Sequence, residues 1–473
     1  MKTVSDRYIS GMAEPFRRRS YLRITIDVGG TVYTFTDTDI VSASQTTDID
    51  PLTRRLPKEN FEFSICDFAG AYNPANPTGL WYALDENAAI TAQFGFDLGG
   101  GETEWLAANE YLCDGKPAIK NGVATFKASS RLCHLTKTYY KGVFGQHTLY
   151  ELAEAVFLDA GYSSGEYSID SSLQGMTTTA PLPVTSHQVC LQMIAHAARC
   201  TLRTDENNIA RIEPFSVSSP ATGVVIGLDS IALNGDAVSK IETLYKVQAQ
   251  MYEYAAEAAA SVLYEGNVDA DGETVCHIEY KTSTAQAVTV AGAVVTDTHF
   301  YANAADFTVH GSGTYTVLVT GKAVNSSVST AESVVSVNTE GSTDVEKNAL
   351  ITNKSLQSSL IYHVANYLQY RMTHTISYRG NPEYEPLDSL VVQTQYGDYI
   401  SATVLTHTIK YNGALSGTMT VKSLSEITDA YLYDSNHELV YDRNGESITV
   451  IDTRDYTSEY TTAQIDDFIT EVI

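Results

Sequence analysis

Asn267-Val-Asp269-Ala-Asp271-Gly272 has the side-chain spacing that opens an EF-hand calcium loop. That loop also needs a bidentate Glu at its twelfth position, which here is Ile278; Glu279 comes one residue late. The flanking segments read as strands rather than helices, so the run is expected to form a tight β-turn and to hold no metal. Gly99-Gly100-Gly101 follows a β pattern. A phosphate loop would need a helix after the glycines, and usually a Lys. A β segment with Trp105 follows instead and the Lys is missing, so the glycines are expected at a flexible hairpin end.

The remaining reactive side chains are dispersed. Eleven His make neither HExxH nor HxH. His187 and His196 lie on one expected helix at an oblique angle and are not a ligand pair. Cys133-His134 and Cys276-His277 are adjacent, which on a strand sends the two side chains to opposite faces, away from a nucleophilic dyad. There is no GxSxG, and no pair stands out among the 57 acids. The sequence therefore predicts no enzyme, no catalytic residue, no cofactor and no metal site. Two features suit contact with another protein. Arg17-Arg18-Arg19, with Arg23 nearby, could dock on an acidic neighbour or serve as a solvated edge. Ile465, Phe468, Ile469 and Val472 form an apolar stripe on a short C-terminal helix started by a Thr461/Gln464 capping box. A helix this short is marginal alone, so it either folds back or binds a partner.

The elements that must carry these residues are mostly strands. Tyr21 to Val28 alternates apolar and polar residues and stops at Gly29-Gly30; Phe61, Phe63 and Ile65 alternate with polar neighbours. Further strands are expected at Ile90 to Phe96, Thr103 to Leu106 and Val123 to Lys127. Thr148 and Glu151 form a capping box for a helix whose face carries Leu149, Leu152 and Val156, with Gly161 as its stop. A second helix begins near Ser186. A hairpin with its turn at Asp205 to Asn208 follows. Strands return at Gly223 to Leu228, Thr243 to Tyr254 and Val262 to Gly266. Residues 280 to 325 are Val-, Thr- and Ala-rich and read as a compact β insertion. A long helix is expected over Asp344 to Met372, with Leu356, Leu360, Val364 and Leu368 four residues apart, Ile361 and Tyr367 flanking them, and Ser342 or Thr343 as its cap. A hairpin turning at Asn412-Gly413 comes after it.

The chain has 473 residues, enough for several domains, and 43% of them are hydrophobic. The fold class expected is mainly β with α/β parts. A net charge of −27 excludes a basic duplex-DNA-binding surface of the usual kind. Six Cys without a CxxC pair read as mostly buried thiols of a protein assembled in a reducing cytoplasm. The first residues contain no apolar run of signal-peptide type, and no stretch approaches the roughly 20 apolar residues of a membrane helix.

The order of the segments resembles the tail-tip hub (tail-associated, baseplate hub-like) proteins of long-tailed bacteriophages and prophages. The pieces are "DIVSASQTTDIDPLTRRLPKENFEFSICD" and "YNPANPTGLW", then "TLYELAEAVFLDAGY", "QVCLQMIAHAARCTLRTDENNIARIEP" and a helix before "YRGNPEYEPLDSLVVQTQYGDYISATVLTHTIKYNGALSG". The resemblance spans residues 1 to about 425. It implies several domains including two tube-like β-barrel domains, divided as 1–143 (tube-like), 144–215 (small α/β), 216–280 (β segment of the hub body), 281–340 (β insertion), 341–425 (long helix plus second tube-like domain) and 426–473 (attachment segment).

It also implies a structural virion protein at the tail tip. Such hubs are homotrimers that adapt a sixfold tube to a threefold tip, close the tube around the tape-measure protein, adjoin a distal tail protein and open for DNA ejection. DNA would be transiting cargo, and an acidic lumen would repel it. The C-terminal segment would attach a tip fibre or receptor-binding protein. Relatives with cell-wall-degrading activity carry a longer C-terminal extension. Alternatives are a distal tail or adaptor ring protein, expected as a hexamer, or a cell-wall glycan-binding or hydrolytic tip protein.

Overall fold

The computed structural model describes residues 1–14, 19–215, 225–240, 245–334, 342–368, 370–394 and 399–423, with backbone pairs at 430–431 and 449–450. It is mainly β. After helix α1 (Asp6–Ala13) come β1 (Ser20–Val28), β2 (Thr31–Phe35), β3 (Ile40–Asp48), β4 (Lys58–Cys66), β5 (Ala89–Gly99), β6 (Glu102–Ala107), β7 (Tyr111–Cys113), β8 (Ala118–Lys120) and β9 (Val123–Ser130). The strict alternation in β1 and β4 sends Leu22, Ile24, Ile26, Phe61, Phe63 and Ile65 into one core. Gly99, Gly100 and Gly101 take φ of 80°, 70° and 85° and turn β5 into β6, as the glycine run predicts.

Helix α2 (Leu149–Asp159), β10 (Tyr167–Ile169), α3 (His187–Ala197), β11 (Cys200–Thr204) and β12 (Ala210–Pro214) share a second core, with Leu152, Ile169, Leu191, Leu202 and Ile212 buried in it. The capping box at α2 is in place: Glu151 N–H donates to Thr148 Oγ1 at 3.1 Å and Thr148 N–H to Glu151 Oε2 at 2.9 Å. Thr148→Ala is expected to lower stability by about 1 kcal/mol in urea unfolding, with Thr148→Ser restoring most of it. An unchanged midpoint for Thr148→Ala would contradict the cap's role.

Next come β13 (Ile231–Lys240), β14 (Lys246–Ala256), β15 (Ser261–Glu279), β16 (Ser283–Val290), β17 (Val294–Phe300), β18 (Ala304–Val334), α4 (Lys354–Tyr367), β19 (Met372–Tyr378), β20 (Ser389–Gln393), β21 (Tyr399–Tyr411) and β22 (Leu415–Ser423). The helix is shorter than its periodicity suggests. Residues Ser342–Asp344 pair with β14 as a strand, and Asn353 caps α4 by accepting from Leu356 N–H at 2.9 Å. The apolar stripe Leu356, Leu360, Ile361 and Val364 is real, and it packs into the core of α2 and α3.

One 15-stranded sheet runs β13-β19-β22-β21-β3-β4-β9-β7-β5-β1-β2 with side branches. Its middle join pairs β21 with β3, from Thr406 opposite Asp48 to Tyr411 opposite Ala43. Strands from the two ends of the chain thus form one hydrogen-bonded surface. Ile409 and Tyr411 of β21 are buried in the core of the first half, which makes the join apolar on its inner side. The 267–272 run is not a turn: it lies inside β15, where Gly272 at φ 75° lets the strand bend without breaking its pairing to β18. Cys133 and His134 sit in a 3-10 turn, Arg131–His134, rather than on a strand.

Candidate functional site: the seam between the two sheet halves

The seam has two unlike faces. On the outer one, residues directly opposite one another form rows across six strands. Ser377, Thr418, Thr408, Thr46, Asn60 and Ser129 make one row. Thr375, Thr420, Thr406, Asp48 and Lys58 make the next, and Ser416, Lys410, Ser44, Glu62 and Lys127 a third. Some of the hydroxyls on this face are bonded: Thr46 and Thr408 are 3.0 Å apart, Thr406 Oγ1 donates to Asp48 Oδ1 at 2.9 Å, and Ser64 and Thr125, beside the rows, are 2.8 Å apart. Beside these rows Asp48 pairs with Arg55 at 2.6 Å, Glu62 lies 4.0 Å from Lys127, and Lys58 and Lys410 stand in the rows as well. The surface is close to neutral in a chain of net charge −27.

This face escapes a search for catalytic motifs, yet its sequence signal is plain. Ser42, Ser44 and Thr46 recur at every second residue, as do Thr406 and Thr408, Ser416, Thr418 and Thr420, and Thr373, Thr375 and Ser377. On a strand that period places them on one face.

The inner face is held by the Tyr378–Asp388 loop, which joins three parts of the chain. Asn381 N–H donates to Tyr378 Oη at 3.0 Å, and Tyr378 Oη lies 2.7 Å from His407 Nε2. Tyr8 of α1 donates to Asn381 Oδ1 at 2.7 Å, and Lys2 N–H to Glu383 O at 2.9 Å. Lys2 Nζ donates to Ala107 O at 2.7 Å. Glu385 lies 3.8 Å from Lys2 and 3.9 Å from Arg203 of β11, and Arg203 also pairs with Glu213 at 2.5 Å. Those two longer separations exceed direct hydrogen-bond range. They border a cavity of about 20 Å³ that Thr204 and His407 also line.

Burial sets the protonation states here. It pushes the Glu385 and Glu383 carboxyls up, only partly opposed by Lys2 and Arg203 at the first and by Asn381 at the second. It holds the Lys2 ammonium below its usual value, and it drives the His407 imidazole down to about 4. His407 is therefore neutral near pH 7, with its Nε2 in hydrogen-bond contact with the Tyr378 hydroxyl. Glu59, inward on β4, is fully buried; Oε1 accepts from Thr204 N–H at 2.5 Å, and burial raises its carboxyl above the usual range.

Of the residues singled out from sequence, Arg19 is exposed with its guanidinium 5.4 Å from the Tyr21 ring centre. Arg23 lies over Trp105 at 4.6 Å and bonds Gln93. Arg17, Arg18 and the stripe Ile465, Phe468, Ile469 and Val472 lie outside the described residues. His187 and His196 are separately engaged, the first with Asp159 at 2.8 Å and the second with Asn348 at 3.1 Å. All six cysteines are free thiols, and Cys113, Cys190 and Cys200 are buried with thiols pushed up to about 12. Among the described residues, no cluster of His, Cys, Asp or Glu could hold a metal ion, and no helix is long and apolar enough to cross a membrane.

No family model and no curated protein matches the sequence. Solved structures do resemble the fold. A 43 kDa prophage tail protein from Shewanella oneidensis aligns over 84% of this chain and 98% of its own, at 12% identity and a TM-score of 0.47. A tail protein from Neisseria meningitidis covers 85% and 96%, at 9% identity and 0.46. A prophage tail protein from Listeria monocytogenes covers 84% and 94%, at 9% identity and 0.46. These are loose likenesses of overall fold.

Proposed function

We propose that this chain is a structural, non-enzymatic protein of a tailed-phage particle, a homotrimeric hub at the tail tip. In this reading each subunit supplies two tube-like parts, drawn from residues 1–143 and 341–425. Three subunits then make a ring of six such parts beneath a sixfold tube. The ring adjoins the distal tail protein and the tape-measure protein and opens to let DNA pass. It assembles in the host cytoplasm, and residues 426–473 attach a tip fibre or receptor-binding protein. The observation that carries the reading is the β21–β3 join: two halves from opposite ends of the chain share one sheet, so each subunit can present two strand sets side by side. The order of sequence segments supports it.

The hydroxyl face is the part we assign to the conduit. A polyanion is held by Lys and Arg clusters, through release of its counterions. Rows of Ser and Thr with few charges, of both signs, offer no such grip, and they do not repel DNA as an acidic wall would. Non-adhesion in this reading comes from neutrality at the seam, while the net charge of −27 lies mostly elsewhere.

Light scattering on the purified chain near physiological salt tests the assembly. A trimer is the expected result. A hexamer would overturn it in favour of a distal ring protein. A monomer that stays monomeric when mixed with tail-tube protein would overturn the ring altogether.

A further inference from the structure

β15 runs for 19 residues and pairs with β18 from end to end. β16 and β17 take the opposite edge of β18. Among the described residues no strand pairs with the outer edge of β15. An open edge of this kind presents a row of unpaired N–H and C=O groups, and proteins usually blunt it.

Here only the second half is blunted. The N–H of Asp271 donates to Thr274 Oγ1 at 3.0 Å, and Gly272 bends the strand at φ 75°. The half before it, residues 262–270, is regular beyond a single bulge at its start and contains no Pro. Asp269 and Asn267 do not guard the edge. Asp269 accepts from Thr314 Oγ1 at 2.6 Å, and Asn267 from Thr316 Oγ1 at 3.1 Å, so both turn inward over β18.

The two faces of this half-edge define what would fit. Glu265, Asn267 and Asp269 lie on the exposed face, and no Lys or Arg occurs from 257 to 280. Leu263, Tyr264 and Val268 lean on the insertion's core but remain only partly covered. We propose that residues 262–270 accept an extended segment of another protein that alternates Lys or Arg with Val, Ile or Leu. The segment adds a strand to the sheet. Its backbone satisfies the open edge, a basic side chain meets Glu265, and its apolar ones cover Leu263, Tyr264 and Val268. The proposal does not depend on the ring.

The test uses the full chain and a peptide of about seven residues alternating lysine and valine, a typical strand length. Amide hydrogen exchange is followed with and without it. The expected result is slowed exchange across 262–270, with β2 and β13, the two end strands of the large sheet, unchanged. A lysine–serine peptide should protect less, because it cannot cover the apolar face, and a glutamate–valine peptide not at all. Glu265→Lys, at an exposed position, should weaken binding about tenfold while leaving the circular dichroism unchanged. Protection that is absent, that appears equally on the other edges, or that survives the Glu265→Lys change would overturn the proposal. In the last two cases the peptide is answering only the chain's overall negative charge.

Discussion

Gly380→Ala should destabilise the protein by roughly 3 kcal/mol or more, the largest loss expected of any single methyl group added to the seam. Two independent costs meet there. Gly380 has φ 79°, a left-handed conformation that an L side chain enters at about 1–2 kcal/mol. A Cβ would also stand 2.7 Å from Ser416 C and 2.9 Å from its carbonyl oxygen. Those are backbone atoms of the β21–β22 hairpin and cannot swing aside as a flexible side chain could. Gly417 faces the same spot, because a Cβ on it would strike the Tyr378 ring and the Gly380 Cα. The two glycines therefore let the loop's first turn lie against the hairpin, and that closeness sets Tyr378 beside His407. Urea unfolding at neutral pH measures the effect. Ala at Gly413, in the exposed hairpin turn, shares the positive φ of 89° but has no atom within 4 Å, so it isolates the conformational cost from the clash. If Gly380→Ala costs no more than Gly413→Ala, the close approach is not what constrains this position.

Local rules read well in this chain, and long-range ones did not. The alternation in β1 and β4, the Thr148/Glu151 box and the glycine turns are fixed by neighbours a few residues away, and each is found where the sequence puts it. The helix near 360 shows the limit. Its stripe was legible, but Ser342 and Thr343 are as plausible as caps as Asn353. What decides between them is the pairing of 342–344 with β14, about a hundred residues back. The turn expected at 267–272 failed for a similar reason: Asn, Asp and Gly favour turns locally, but 18 residue pairs with β18 hold the segment extended and leave Gly272 only a bend.

The site was legible in fragments. "YRGNPEYEP" stood out as a motif, yet its partners could not be read from it. Tyr8 meets Asn381 from 373 residues away, and Lys2 and Arg203 arrive from two other parts of the fold. The Ser/Thr periodicity was visible strand by strand. That the strands line up into rows depends on the registers at five joins, β19–β22, β22–β21, β21–β3, β3–β4 and β4–β9, which no single segment encodes.

The second large effect is expected at His407 and is read against pH. Burial holds its pKa at about 4, whereas in the unfolded chain it titrates near 6.5. Between those values the unfolded state carries a proton that the folded state refuses. Stability attributable to this residue therefore rises with pH across the window and is lost as pH falls through it. The full difference is on the order of 3 kcal/mol at the acid end.

The wild-type curve alone will not display it cleanly. Glu59, Glu383 and Glu385 have carboxyls raised by burial. They take up protons earlier in the folded state than in the unfolded one, and so favour the folded state as pH falls. His196, also held at about 4, adds to the loss. The informative quantity is the difference between wild type and His407→Gln, which keeps an acceptor for the Tyr378 hydroxyl but cannot titrate. At pH 7.5 the variant should be the less stable, through imperfect packing. As pH falls from 6.5 towards 4 the gap should close and then reverse, because only the wild type pays for keeping a buried imidazole neutral. Parallel curves would mean that His407 accepts its proton in the folded state, and that the Tyr378–His407 contact is not the sealed joint described here.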